Sequence, residues 1–117
     1  MNIFYFLKTC DTCKRIIKTL NIPRSVSLIN IKENPISSEQ LDALFKITNS
    51  YAALFNRRAQ LIRKRGLKAS DLSEEEIKNL ILEHYSFLKR PVLIYKEELF
   101  IGNSAATVEA AKRTIHE

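Results

Sequence analysis

Glycine occurs only twice in this chain, tryptophan not at all, and cysteine and histidine only twice each. Each scarcity excludes something. With glycine confined to Gly66 and Gly102, there is no glycine-rich loop of the kind that wraps phosphates, so P-loop and dinucleotide-binding enzymes are set aside. A structural zinc site usually needs a second Cys pair or a His pair; His84 and His116 stand far apart and outside zinc-finger spacing. No apolar run approaches the ~20 residues of a membrane span. Met1-Asn2-Ile3-Phe4 lacks the basic segment and small-residue cleavage site of a signal peptide, so the chain is expected to be cytoplasmic, with no membrane partner. Repeats and low-complexity linkers are absent. A 45% apolar content in 117 residues suits one globular domain with its own core.

The two cysteines lie together, in Lys8-Thr9-Cys10-Asp11-Thr12-Cys13-Lys14-Arg15. The apolar run Ile3–Leu7 leads in, and a helical pattern through Ile16, Ile17 and Leu20 leads out. A Cys-x-x-Cys at a strand-to-helix junction reads first as a thiol–disulfide redox site. Thr9 or Cys10 falls at the helix N-cap, where unpaired N–H groups and the positive dipole end favour a thiolate. Lys8, Lys14 and Arg15 add positive charge. Cys10 is therefore the candidate nucleophile, and Cys13, one turn on, the candidate resolving thiol. Two inert, buried cysteines are the competing reading, since free cysteine packs as a small apolar residue. A permanent disulfide would close too short a loop to add much stability.

Along the chain, residues 2–7 read as a buried strand, 11–21 as a helix ended by Asn21 and Pro23, and 26–31 as a second strand parallel to the first. Ser37-x-x-Gln40 and Ser73-x-x-Glu76 are capping boxes, with Ile36/Leu41 and Leu72/Ile77 as hydrophobic staples. They open helices reaching about 48 and His84. Between them, Tyr51 to Arg65 is expected to be one helix with Gly66 at C′. His84 and Tyr85 are expected to be packing or helix-end residues. Residues 92–95 and 99–101 should form an antiparallel hairpin around Lys96-Glu97, although no glycine marks its turn. Ser104 caps a last helix carrying Val108, Ala111 and Ile115. Without the central helices, the order is βαβ–ββα. The expected fold is α/β and thioredoxin-like, with a mixed four-stranded sheet. One domain is divided into a core of 1–33 and 89–117 and a helical insertion of 34–88.

The net charge of +6 is concentrated. Between Asn56 and Lys68, six cations (Arg57, Arg58, Arg63, Lys64, Arg65, Lys68) occur with no acid. Such a segment can face an anionic substrate, an acidic protein or nucleic acid. A solvated helix face accounts for Lys64 and Lys68. No recognition-helix motif accompanies the charge, so sequence-specific DNA binding is not expected.

Three anchors make the chain resemble the ArsC/Spx family: arsenate reductases, their relatives and the Spx regulators. They are Tyr5 to Arg15 with Cys10-x-Thr12-Cys13-Lys14-Arg15; Leu54-Phe55-Asn56-Arg57-Arg58 followed by Gly66-Leu67; and Leu88-Lys89-Arg90-Pro91-Val92-Leu93-Ile94. The resemblance implies a cis peptide before Pro91, lying against the active cysteine, and an Arg90 that reaches the same place. A planar guanidinium there can hold a tetrahedral oxyanion or a thiolate. It also implies anion-binding roles for Arg58 or Arg57 and places Thr12 and Pro91 at the site. Glutathione-dependent arsenate reductases carry an arginine where Asn56 aligns, another after the final strand where this chain has Ile101-Gly102, and often a single cysteine in the first motif. These departures lean toward the reductase-like relatives and Spx. Two functions follow as expectations. One is a thiol-dependent reductase of a small oxyanion or a disulfide, needing no bound cofactor or metal and restored by glutathione/glutaredoxin or thioredoxin as redox partner. The other is an Spx-like regulator that binds RNA polymerase and switches through Cys10–Cys13.

Overall fold

The computed structural model describes residues 2–117, which divide into two compact units. The first comprises residues up to Asn34 together with Arg90–Glu117; the second is Pro35–Lys89.

The first unit holds β1 (Ile3–Phe6), α1 (Asp11–Leu20), β2 (Ser27–Asn30), β3 (Val92–Tyr95), β4 (Glu98–Ile101) and α5 (Ala105–His116). The sheet order is β2-β1-β3-β4. β1 and β2 are parallel, with Phe6 opposite Asn30; β1–β3 and β3–β4 are antiparallel. The mixed four-stranded sheet and the βαβ–ββα order are those expected. Side-chain alternation sends Phe4, Leu93 and Tyr95 to one face, where they pack with Ile16 and Leu20 of α1 and Ala111 of α5. Tyr5, Val92 and Ile94 are buried on the other face. All four residues of β3 are buried, as a central strand requires.

The β3–β4 turn is made without glycine. Lys96 (φ 47°) and Glu97 (φ 69°) both adopt left-handed backbone, the geometry that a two-residue hairpin demands. Asn2 Oδ1 accepts the Lys96 N–H at 2.9 Å and steadies it. Ser104 caps α5 by accepting from Thr107 N–H. At the far end, the His116 ring Nε2 lies 2.6 Å from the Leu20 carbonyl at the end of α1.

The second unit contains α2 (Ser38–Thr48), α3 (Gln60–Lys64) and α4 (Glu74–Glu83), with 3₁₀ turns at Ala52–Leu54, Ala69–Asp71 and Tyr85–Phe87. Both capping boxes form, at Ser37/Gln40 and Ser73/Glu76. The single helix expected over 51–65 does not form. Its first part is a 3₁₀ turn; Phe55 is then extended and bridges Leu88, and only Gln60–Lys64 is α-helical. The cause is Asn56. Its N–H donates to Phe87 O at 2.8 Å, its Nδ2 donates to Ser86 O at 3.0 Å, and its Oδ1 accepts the Arg58 N–H at 3.1 Å. This local side-chain bond offers the backbone an alternative to the helix. Gly66 does take C′, at φ 65°: Leu67 N–H reaches Ile62 O and Gly66 N–H reaches Arg63 O, a Schellman closure. Phe55 and Phe87 stack at 5.9 Å. His84 Nδ1 accepts the Ser86 N–H at 3.1 Å, and its ring stacks on Tyr85 at 4.5 Å, which fits the packing role expected of this pair.

Candidate thiol site

β1 ends at Phe6, and the chain turns through residues 7–9 into α1, delivering Cys10 to the N-cap in extended conformation (φ −88°, ψ 114°). The turn closes with Cys10 N–H donating to Leu7 O at 3.0 Å, and the helix begins with Lys14 N–H donating to Cys10 O at 3.1 Å. The two thiols are not joined in a disulfide. Cys10 is half-buried, whereas Cys13, on the inner side of the first turn, is 0% exposed.

Their environments push the two thiols apart. For Cys10, burial raises the pKa, but the Cys13 N–H and thiol, the Thr12 N–H and the Arg90 guanidinium all favour the thiolate and together bring it below the ordinary thiol value. The Thr12 and Cys13 amides thus reach the Cys10 sulfur at the positive end of the helix, although no N-cap hydrogen bond of standard geometry forms. For Cys13, burial dominates. Despite the opposing Leu7 N–H and Arg90, burial and the neighbouring Cys10 sulfur push it up to about 11. The pair is thus one sulfur inclined to carry charge beside one that holds its proton.

Arg90 precedes β3, and the Arg90–Pro91 peptide is cis, the isomer expected at this step. The guanidinium acts on both sulfurs, and its Nη1 is buried without a hydrogen-bond partner. A buried N–H donor left unpaired is costly, and an anion beside Cys10 could supply the missing acceptor. Pro91 is buried, and its carbonyl accepts the Gly102 N–H at 2.8 Å. Cys10, Cys13, Thr12, Arg90 and Pro91 therefore belong to one unit, and Cys10, Cys13, Thr12 and Arg90 act on one another there.

Arg57 and Arg58 lie in an exposed turn of the second unit. Asn56, at the alignment position of an arginine in glutathione-dependent arsenate reductases, is consumed structurally: its amide bridges Ser86 and Arg58. No local pattern singles out Asn30, whose Oδ1 accepts the Lys8 N–H at 3.2 Å in the loop before Cys10. Its only sequence signal is an Asn at a strand end. No group of three or more His, Cys, Asp or Glu side chains able to hold a metal occurs among the described residues, and no described helix is long and apolar enough to cross a membrane.

The chain is similar to the global transcriptional regulator Spx 2 of Bacillus cereus, 26% identical over 105 residues that cover 87% of this chain and 79% of that protein. A solution structure of an arsenate reductase (ArsC) related protein from Brucella melitensis is 28% identical, covers 93% of this chain and 92% of its own, and superposes with TM-score 0.70. An arsenate reductase from Vibrio cholerae shares the fold at 18% identity, with TM-score 0.75 over 97% of this chain and 96% of its own. The model of the ArsC family matches residues 5–111, which take in both cysteines, the Arg90–Pro91 step and most of α5, and the chain belongs to that family.

Proposed function

We propose that the protein is a thiol-dependent oxidoreductase of the arsenate reductase type. The observation that carries this reading is Cys10 at the helix N-cap, its thiol held below the ordinary value in part by an Arg90 whose buried Nη1 has no partner. The Cys10 thiolate attacks arsenate and displaces water after protonation of an oxygen, giving a Cys10–S–arsenic(V) adduct. Arg90 holds the negative charge on the remaining oxygens. A second thiol, Cys13 or glutathione, then attacks Cys10 Sγ. An S–S bond forms, the S–As bond breaks, and its electron pair stays on arsenic, which leaves as arsenite. Glutathione/glutaredoxin or thioredoxin returns the disulfide to thiols by exchange, so each turnover consumes two external thiols. Arg57 and Arg58 are assigned to anion binding on the sequence resemblance alone.

The test is NADPH consumption driven by arsenate, coupled separately to glutathione/glutaredoxin and to thioredoxin/thioredoxin reductase. Turnover that Cys10→Ser abolishes is expected, and the coupling system that supports it names the reductant. A reactive Cys10 without arsenate turnover overturns the reading.

The curated Spx relative favours a second reading, in which Cys10–Cys13 is a redox switch on a regulator that binds RNA polymerase. It requires that affinity for polymerase differ between the dithiol and disulfide forms. Equal affinities would rule it out.

A further inference from the structure

We propose that Asn30, at the end of β2, is a positioning residue for the Cys10–Cys13 site, acting through the main chain of Lys8 and Leu7. The inference rests on the thiol chemistry proposed above.

The argument starts from the register of the parallel pair. Ser27 N–H donates to Asn2 O, and Ile31 N–H donates to Phe6 O. Evenly spaced parallel rungs would next send the Lys8 N–H to the Ile31 carbonyl. β2 has ended by then: residues 31–33 turn away, and Asn30 O accepts the Asn34 N–H at 2.9 Å. The side chain of Asn30 supplies the missing rung, its Oδ1 accepting the Lys8 N–H at 3.2 Å.

Among the described residues, that rung is the last tie between the sheet and the loop before Cys10. Immediately upstream, Leu7 serves both cysteines: its carbonyl accepts the Cys10 N–H, and its own N–H faces the Cys13 sulfur. Fixing the peptide between Leu7 and Lys8 therefore fixes the carbonyl that holds Cys10 at the N-cap, where the Thr12 and Cys13 amides act on its sulfur. An alanine at 30 frees the Lys8 amide and lets the loop shift, and Cys10 leaves the position at which the helix dipole stabilises its charge.

The test compares wild type, Asn30→Ala and Asn30→Asp by Cys10 alkylation with iodoacetamide against pH and by Lys8 amide exchange. It is run in 0.5 M KCl, where screening over about 4 Å suppresses the added carboxylate charge. Asn30→Asp keeps the acceptor. Expected for Asn30→Ala are faster Lys8 exchange, a titration midpoint moved up and alkylation at pH 7 slowed about threefold, the effect of roughly half a pH unit on the thiolate fraction. Asn30→Asp should restore Lys8 protection and most of the rate. Asn30→Ser, too short to reach Lys8, replaces alanine should that variant not fold. An unchanged midpoint in Asn30→Ala, or an equal loss in the alanine and aspartate variants, overturns the proposal. Alkylation uses neither oxyanion nor reductant, so a failure of arsenate turnover leaves this test standing. An unreactive Cys10 in wild type removes both readings.

Discussion

Cys10 and Cys13 differ by one helical turn and by the sign of their perturbation, and this has consequences for stability as well as chemistry. Unfolded, both titrate near about 8.5. The folded Cys10 thiol lies below its ordinary value, so the folded state releases that proton first. Its contribution to stability is present in full above the unfolded value and is lost as pH falls through the folded one. Cys13 behaves oppositely. Raised to about 11, it contributes fully below the unfolded value and loses that contribution as pH rises toward 11. Urea-denaturation free energies against pH should therefore rise toward about 8.5 and fall beyond it. Cys10→Ser should flatten the acid limb and Cys13→Ala the alkaline limb; limbs unaltered by these variants would contradict the assignment. Arg90 yields a different dissociation of effects. Its Nη1 has no acceptor, so Arg90→Met should leave the urea midpoint unchanged or raise stability by up to ~1 kcal/mol. Oxyanion turnover in the same variant should fall about 10²–10³-fold, the loss typical of a deleted oxyanion donor. Equal losses of stability and turnover would make Arg90 a structural residue.

Elements that report themselves locally were legible, and elements held by distant partners were not. Ser37 and Ser73, each three residues before its Gln or Glu, carry their capping boxes in a four-residue window, and both form. Ser→Ala at either should cost about 1 kcal/mol in thermal or urea unfolding. The N-cap of α1 was readable to within one residue, Thr9 or Cys10, because the strand before it and the helix after it are local patterns, and the structure places Cys10 there. Residues 51–65 show the limit. Leu54, Phe55, Leu61 and Ile62 fit helical spacing, yet Asn56 bonds to Ser86 thirty residues on, and no local pattern contains that partner. The Lys8–Asn30 bond, across 22 residues, escaped for the same reason. The β3–β4 hairpin around Lys96-Glu97 was legible from its flanking strands, but the left-handed backbone of its turn was not, because Lys96 and Glu97 are not the residues that such backbone favours. Glu97→Gly should relieve part of that conformational cost and stabilise the hairpin by up to ~1 kcal/mol. A lowered melting temperature would mean that the Glu97 side chain contributes more than its backbone costs.

For the molecule as a whole, the question is where its charge lies. Of the nineteen Lys and Arg residues, six fall between 57 and 68, leaving thirteen against the thirteen acids of the entire chain. The protein is thus electrically balanced apart from one segment of its second unit. Within that segment, Arg65 pairs with Glu83 at 2.6 Å and lies over the Phe87 ring, whereas Arg57, Arg58, Arg63, Lys64 and Lys68 are exposed and make no ion pair among the described residues. Unneutralised cations concentrated in this way attract an acidic partner at long range, and exposed charge is screened over about 8 Å at physiological ionic strength. On the reductase reading proposed above, reduction of the disulfide form by an acidic thiol protein should therefore slow as salt is raised, through the association rate rather than the limiting rate. Reversing Arg63 and Lys64 to glutamate should remove most of that salt dependence while leaving Cys10 alkylation by uncharged iodoacetamide at its wild-type rate. Stopped-flow reduction at 20 and 300 mM salt separates the two quantities. A salt response that survives the reversal would move the docking charge away from this segment and back to Lys8, Lys14 and Arg15 around the thiols.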